Sequence, residues 1–420
     1  MSNNMKFYGC DVAELAKEYG TPLYVMSEDD IRERCREVKS VFIDKYPNTR
    51  AVYASKAFQT LEICRIVQQE GLGLDVVSGG EVFAAIRAGV NPADIVFHGN
   101  TKTYGELKLA LEENVGTIVV DNLSELALLD EMAGDMGKVP GIVMRVTPGV
   151  DSHTHEFIST GQEDSKFGFV IQEVIDFAAE KAINSKNLDF RGFHFHVGSQ
   201  LHDNMSHLMA VDKVLEMLTA LKEKYGFVAR ELNTGGGFGV HYAGDPERTH
   251  VSYFMDPVME KIDGYFAEAG DPRPLVTIEP GRWIVGEAGI TVYEVGSVKT
   301  NAAGRTYIGV DGGFPDNPRP ALYDAKYEVE AVEKHNEPYD QVVTVAGKCC
   351  ESGDILVWDA NLPKLERGDH IAVLCTGAYN YSMSSNYNRL PRPAVVMVSE
   401  GKAHLSVRRE TYEDLIAREL

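Results

Sequence analysis

The stretch RAVYASKAFQTLEICRIVQQEGLGLDVVSG (50–79) decides the fold. Its opening RAVYASKA (50–57) reads as a strand, TLEICRIVQQEG (60–71) repeats apolar residues at helical spacing, and GLDVVSG (73–79) reads as a strand again. Strand, helix and strand within about 30 residues make one unit of a helix-covered parallel sheet. The unit recurs. Further strands are predicted in DIVFHGN (94–100), TIVVDN (117–122), GIVMRVTPG (141–149), LDFRGFHFHVGS (188–199), RELNTGGGF (230–238) and PLVTIEPGR (274–282). Helices such as EVFAAIRAG (81–89), YGELKLALEEN (104–114) and NMSHLMAVDKVLEMLTALKEKYG (204–226) lie between them. Eight such units predict an α/β fold, a (β/α)8 TIM-type barrel with its working residues at the C-terminal strand ends.

After Arg282 the pattern changes to strands separated by turns, in VYEVGSVKT (292–300), RTYIGVDGG (305–313), QVVTVAGK (341–348) and HIAVLCTGA (370–378). This predicts a second, all-β domain, sandwich- or barrel-like. TPLYVMS (21–27) reads as a strand outside the barrel count and is expected to join it, while PAVVMVSEGKAHLSVRRE (393–410) reads as a hairpin turning near Glu400 and Gly401. The expected division is 28–285 for the barrel and 1–27 plus 286–420 for the β-domain.

Composition narrows the partners. The chain has 420 residues, 44% hydrophobic, and its net charge of -22 repels nucleic acid phosphates and anionic membrane surfaces. No apolar run approaches the roughly 20 residues of a membrane span. MSNNMKFYGC (1–10) lacks the features of a signal peptide. A cytoplasmic protein acting on a small molecule is the expectation. The six cysteines show no CxxC spacing, which argues against a disulfide framework or a zinc ribbon.

Four strand ends carry chemistry. Lys56 closes the first barrel strand, where a desolvated amine pointing into the mouth could form an imine, although a lone strand-end lysine is usually a solvated charge. Gly235, Gly236 and Gly237 close the seventh strand; they would serve equally as a flexible turn, but strands 7 and 8 are where barrels hold phosphate on backbone N–H groups. Glu279 and Arg282 of EPGR end the eighth strand. They read either as a local ion pair or as a ring-nitrogen partner and an anion partner. A carboxylate at a pyridine nitrogen keeps it protonated and makes the ring a strong electron sink. His194 and His196 lie two apart on one strand; a metal would need further ligands, HTH (153–155) sits in a loop, and no acidic cluster accompanies them, so no metal is expected. One imidazole stacking on a ring, with Ser199 donating to a phosphate, completes a pyridoxal 5'-phosphate site.

The motifs also resemble those of one family. YASKAF (53–58), HEFISTGQEDSKFGF (155–169), HFHVGSQ (194–200), TGGGFG (234–239), EPGR (279–282), RPALY (319–323), CESGD (350–354) and GAYNYSMSSNYN (377–388) are similar, in order and over nearly the whole chain, to the motif set of bacterial diaminopimelate decarboxylase. The resemblance implies a fold type III pyridoxal phosphate enzyme with active sites shared across a homodimer interface. It implies removal of the D-centre carboxylate of meso-2,6-diaminopimelate to give L-lysine and carbon dioxide, the last step of lysine biosynthesis. Residue by residue, it makes Lys56 the cofactor-bearing lysine and His196 the stacking residue. Ser199, Gly236, Gly237, Glu279, Gly281 and Arg282 then hold the phosphate and ring nitrogen, with Tyr379 adding a phosphate contact. Arg282, Arg319, Tyr323, Glu351 and Tyr379 fall at substrate-binding positions. Cys350, the implied proton donor to the reacting carbon, would arrive with Glu351 from the partner subunit. Two segments depart from the family pattern: VDGGFPDNP (310–318) replaces a turn that usually contains Met-Asn, and GKCC (347–350) replaces a GPxC pattern.

Other functions fit less well. A same-fold decarboxylase of ornithine, arginine or carboxynorspermidine is disfavoured by RPALY and CESGD, and a racemase, which resembles a design with arginine at the ring nitrogen, by Glu279. A non-catalytic homologue would be marked by loss of Lys56, Cys350 or Glu351, all of which are present. A metal-dependent barrel hydrolase rests on the two histidines alone.

Overall fold

The computed structural model describes residues 4–150 and 165–420, so HTH (153–155) and most of HEFISTGQEDSKFGF lie outside the described residues. The chain divides into two compact units. One comprises Arg34–Gly239 and Arg248–Trp283; the other comprises Met1–Glu33, Val240–Glu247 and Ile284–Leu420.

In the first unit all eight expected strands form: β1 (Thr49–Ala54), β2 (Gly73–Val76), β3 (Ile95–Phe97), β4 (Thr117–Val120), β5 (Gly141–Thr147), β6 (Asp189–His194), β7 (Glu231–Asn233) and β8 (Leu275–Ile278). Each pairs in parallel with the next, and β8 returns to β1 through Val276↔Thr49 and Ile278↔Ala51, which closes the barrel. The strands are shorter than the apolar runs that announced them, because the polar residues at their C-terminal ends leave the sheet as loops.

The β-to-α turns are written into the sequence. Thr60, Ser78, Thr103 and Asn122 each accept a backbone N–H from the residue three positions on, which satisfies an otherwise orphaned donor of the helix that follows. Thr103 and Glu106 complete a reciprocal capping box. At the other ends, Gly89 (φ 90°) and Asn114 (φ 57°) adopt the left-handed conformation that stops a helix. Apolar burial holds the rest together, with Val52, Val96, Val119 and Val143 forming one cluster. Arg50 bonds Thr117 and Thr277 and pairs with Glu231, which links four strands.

The second unit holds a mixed sheet. Leu23–Ser27 pairs antiparallel with Gly289–Val292 and parallel with Ala394–Val398, so the N-terminal strand joins it as expected. The hairpin Ala394–Ser399/Lys402–Val407 turns at Glu400 (φ 50°) and Gly401 (φ 71°). Besides the two-residue strands Lys6–Phe7 and Cys10–Asp11, two strands escape the sequence reading, Val329–Ala331 and Ile355–Leu362. In the second, Asp359 sits at φ 50° where the pairing register slips, so the strand contains the Asp-Ala-Asn signal of a turn. Short helices accompany the sheet at Val12–Tyr19, Arg319–Tyr323 and Tyr412–Ile416. Among the described residues, no helix is long and apolar enough to cross a membrane.

One buried charge braces the barrel. Lys102, beyond β3, donates to the carbonyls of Gly99 (2.9 Å) and Val119 (2.6 Å) and pairs with Glu125 at 2.8 Å. Burial pulls the lysine pKa down and pushes that of Glu125 up, and each opposes the other's shift. Lys102→Met leaves Glu125 buried without its cation and should cost about 3–5 kcal/mol in urea unfolding, whereas Lys102→Met/Glu125→Leu should recover much of that loss.

Candidate active site

The eighth strand ends in a carboxylate that the fold encloses. Glu279 is 8% exposed. Asn233, at the end of β7, donates its amide to Oε1 at 2.7 Å; His194, at the end of β6, meets Oε2 at 3.2 Å. His98, just past β3, brings Nε2 to 2.7 Å from Oε1. Burial alone would raise the Glu279 pKa, but the His98 and His194 imidazoles more than reverse that and hold it well below the usual carboxylate range. Burial lowers the pKa of His194 to about 4, against the pull of Glu279.

This arrangement corrects the reading of the histidine pair. His194 does have an acidic neighbour, and His98, His194 and Glu279 bring ligand-type atoms within 4.8 Å of one another. Their geometry serves the carboxylate. Arg145, which lies over the Phe167 ring at 4.2 Å, acts electrostatically on His194 and Glu279, and its positive charge disfavours a dication there. His196 plays a different part: it lies beyond β6, and its Nδ1 accepts the backbone N–H of Gly236 at 3.3 Å. Burial, then Lys56 and Arg145, hold its pKa well below 6.5, leaving a neutral planar ring.

The glycine loop packs closely against neighbouring backbone where side chains would otherwise stand. Gly235 N donates to Asn233 Oδ1 at 3.0 Å, Glu279 N donates to the Gly235 carbonyl at 2.8 Å, and His207 Nε2 lies 2.9 Å from the Gly236 carbonyl. A Cβ on Gly236 would sit 2.0 Å from the Glu279 carbonyl oxygen, and one on Gly237 2.1 Å from that of Gly198. Gly281 lies close against Ala54, the last residue of β1, where an added Cβ would meet the alanine methyl at 2.8 Å. Beside the loop Arg282 Nη2 donates to Ser199 Oγ at 3.1 Å. These residues fit a phosphate and a pyridine ring: bare backbone and a guanidinium for the anion, an ionised acid for the ring nitrogen, and a flat neutral imidazole for a face.

Lys56 departs from expectation in detail. It lies in a 3-10 turn, Ser55–Ala57, rather than in the strand, and its side chain is exposed rather than desolvated, because the chain bends at the open mouth of the barrel. It has no hydrogen-bond or ion-pair partner among the described residues, and its charge reaches His196, Asp75 and Glu81. The sequence reading missed His98, Asp75, Arg145, Asn233 and His207. All but His207 sit in or just past strands already identified, so the available signal was a polar side chain near a strand end.

The structure brings together the residues expected of a pyridoxal phosphate site in the barrel. Residues 28–286 match the family described as pyridoxal-dependent decarboxylase, pyridoxal binding domain. The chain is 46% identical over 418 residues to diaminopimelate decarboxylase of Bacillus subtilis, covering 99% of this chain and 95% of that one. The chain belongs to the diaminopimelate decarboxylase family. Two solved structures of that enzyme with L-lysine bound are similar throughout. That from M. jannaschii has a TM-score of 0.92 at 34% identity, covering 100% of this chain and 96% of that one. That from Helicobacter pylori has a TM-score of 0.89 at 32% identity, covering 97% and 99%.

In the second unit, Arg319 and Tyr323 lie four residues apart on one short helix and therefore on one face. The Arg319 guanidinium sits 5.2 Å from the ring centroids of both Tyr323 and Tyr379. The two segments that depart from the family pattern are tied to each other: Asp354 accepts the N–H of Phe314 at 2.6 Å and that of Cys349 at 2.8 Å. Burial, then Asp354, pushes the Cys349 thiol up to about 12, which suits a structural role. Cys350 and Glu351 are exposed.

Gly236→Ala should weaken pyridoxal phosphate binding by about tenfold or more, since the methyl meets a backbone oxygen that cannot move without Glu279. Spectrophotometric titration of the apoenzyme with the cofactor measures it.

Proposed function

We propose that this enzyme decarboxylates meso-2,6-diaminopimelate to L-lysine and carbon dioxide with pyridoxal 5'-phosphate as cofactor. The observation that carries the reading is Glu279, buried at the end of β8 and met by His98, His194 and Asn233. Bound there, the cofactor supplies an electron sink for the pair left behind when carbon dioxide departs. The chain's own groups prepare that sink. Glu279, fixed by His98, His194 and Asn233, keeps a proton on the ring nitrogen. Gly236, Gly237, Gly281, Ser199 and Arg282 hold the phosphate, joined by Tyr379, while His196 covers a ring face. The Lys56 amine provides covalent attachment.

Substrate recognition is assigned to Arg282, Arg319, Tyr323, Tyr379 and Glu351. A guanidinium engages the distal carboxylate, and the Glu351 carboxylate pairs with the distal ammonium. The Cys350 thiol carries the proton delivered to the carbon that has lost its carboxylate. Exposure of Cys350 and Glu351 in the single chain supports their loan to a second copy, and thus a homodimer with shared sites. The six cysteines lack the spacing of a disulfide framework, which supports a reducing, cytoplasmic setting.

The test is carbon dioxide release from meso-diaminopimelate beside L-lysine, L-ornithine and L-arginine. Turnover should be confined to the diamino diacid, and Glu279→Gln should lower kcat by a barrier increase on the order of one to several kcal/mol with a smaller change in KM. An undiminished kcat would reduce Glu279 to a structural acid.

Sharing of sites is tested by mixing inactive Lys56→Ala and Cys350→Ala subunits under conditions of exchange. A mixed dimer then has one site with both lesions and one with neither, so up to about a quarter of wild-type activity should return. No recovery despite proven exchange would place Cys350 in the same chain's site.

A further inference from the structure

Arg319 is a buried cation with an unusual set of neighbours. It is 7% exposed, and its guanidinium lies 5.2 Å from the ring centroids of two tyrosines, Tyr323 and Tyr379. Burial of a guanidinium is costly unless its N–H groups find acceptors. No carboxylate pairs with it among the described residues. Its one protein hydrogen bond there runs from Nε to the hydroxyl of Tyr327, at 3.0 Å.

Tyr327 is itself fixed. It is 3% exposed, it crosses the ring of Tyr242 edge-on with centroids 5.5 Å apart, and its hydroxyl donates to Oδ1 of the fully buried Asn380 at 3.5 Å. The hydroxyl therefore has a defined direction: it gives its proton toward Asn380 and turns a lone pair to Arg319. Asn380 adjoins Tyr379 in sequence, so this one hydroxyl links both elements that flank the guanidinium.

We propose that Tyr327 is a positioning residue that makes Arg319 a carboxylate reader with a single usable edge. This rests on the assignment of Arg319 to the substrate. A guanidinium can take a carboxylate in two-point fashion through Nη1 and Nη2, or through Nε and one Nη. Tyr327 occupies Nε, so the end-on Nη1–Nη2 edge alone remains for two-point binding. A ligand carboxylate must then arrive along the line of the guanidinium, which selects for chain length and for a terminal carboxylate. Tyr327 touches neither substrate nor cofactor and acts through Arg319.

The probes are L-lysine, which keeps the distal carboxylate, and cadaverine, the same diamine without it. In the wild-type holoenzyme L-lysine should inhibit more tightly than cadaverine. Tyr327→Phe should weaken L-lysine inhibition about tenfold, the scale of one hydrogen bond to a charged group, while cadaverine inhibition stays within about twofold. KM for meso-diaminopimelate should rise by a similar factor and kcat should change much less. If both inhibitors weaken together, or neither does, the positioning role is wrong. Arg319→Met separates this from the underlying assignment. If that variant loses the preference for L-lysine while Tyr327→Phe keeps it, Arg319 reads the carboxylate without help from Tyr327. If Arg319→Met keeps the preference, the assignment of Arg319 fails and the proposal falls with it. Thermal unfolding of each holoenzyme variant shows whether the fold is retained.

Discussion

The barrel is organised around a carboxylate that must remain charged out of water. Taking an acid into the interior favours its neutral form, so an ionised Glu279 requires partners that a single strand cannot provide. The contacts come from around the ring: His98 beyond β3, His194 on β6 and Asn233 on β7, all meeting the residue that follows β8. Closure of the barrel is what makes that convergence possible. The glycine loop depends on the same point, because Gly235 accepts the Glu279 N–H and Gly236 packs against the Glu279 carbonyl. Anion cradle and acid are thus one piece of backbone, and a shift of either moves both.

A second buried charge organises the β unit by a different solution. Among the described residues, Arg319 meets two tyrosine rings and one tyrosine hydroxyl, which give a cation polarizable faces and an acceptor without neutralising it. An uncompensated cation is suited to an anionic ligand in a way that an ion pair is not. The segment leading to it is anchored by Asp316, which takes the Gly313 N–H and the Tyr293 hydroxyl, and by Asp354 across from Phe314. Burial raises the pKa of Asp316 to about 7. The departures from the family pattern at 310–318 and 347–349 meet at Asp354, so they form one altered brace rather than two separate changes.

Much of this was legible in the sequence. Apolar periodicity and capping residues such as Thr60, Ser78, Thr103 and Asn122 act over a few positions, so strand count, helix starts and hairpin turn could all be read locally. Lys56, the glycine triplet, Glu279 and Arg282 stood out because they fall together at the C-terminal ends of barrel strands, where an amine, an anion cradle and a ring-nitrogen partner make one site. Where the reading failed, a local signal pointed the wrong way: Asp359 and its neighbours look like a turn inside Ile355–Leu362, and Lys56 follows strand spacing but lies in a turn.

The sequence alone determined the class of the fold, the order of its parts and the residues with the chemistry for a pyridoxal phosphate site. Those depend on composition and short-range spacing. Only the tertiary structure decided which side chains meet. That His194 serves Glu279 while His196, two residues on, serves Gly236, that His98 joins them from a strand nearly a hundred residues away, and that Tyr327 rather than an acid holds Arg319, follow from barrel closure and sheet packing. Such contacts have no periodicity along the chain, because the distance that matters is measured across the fold.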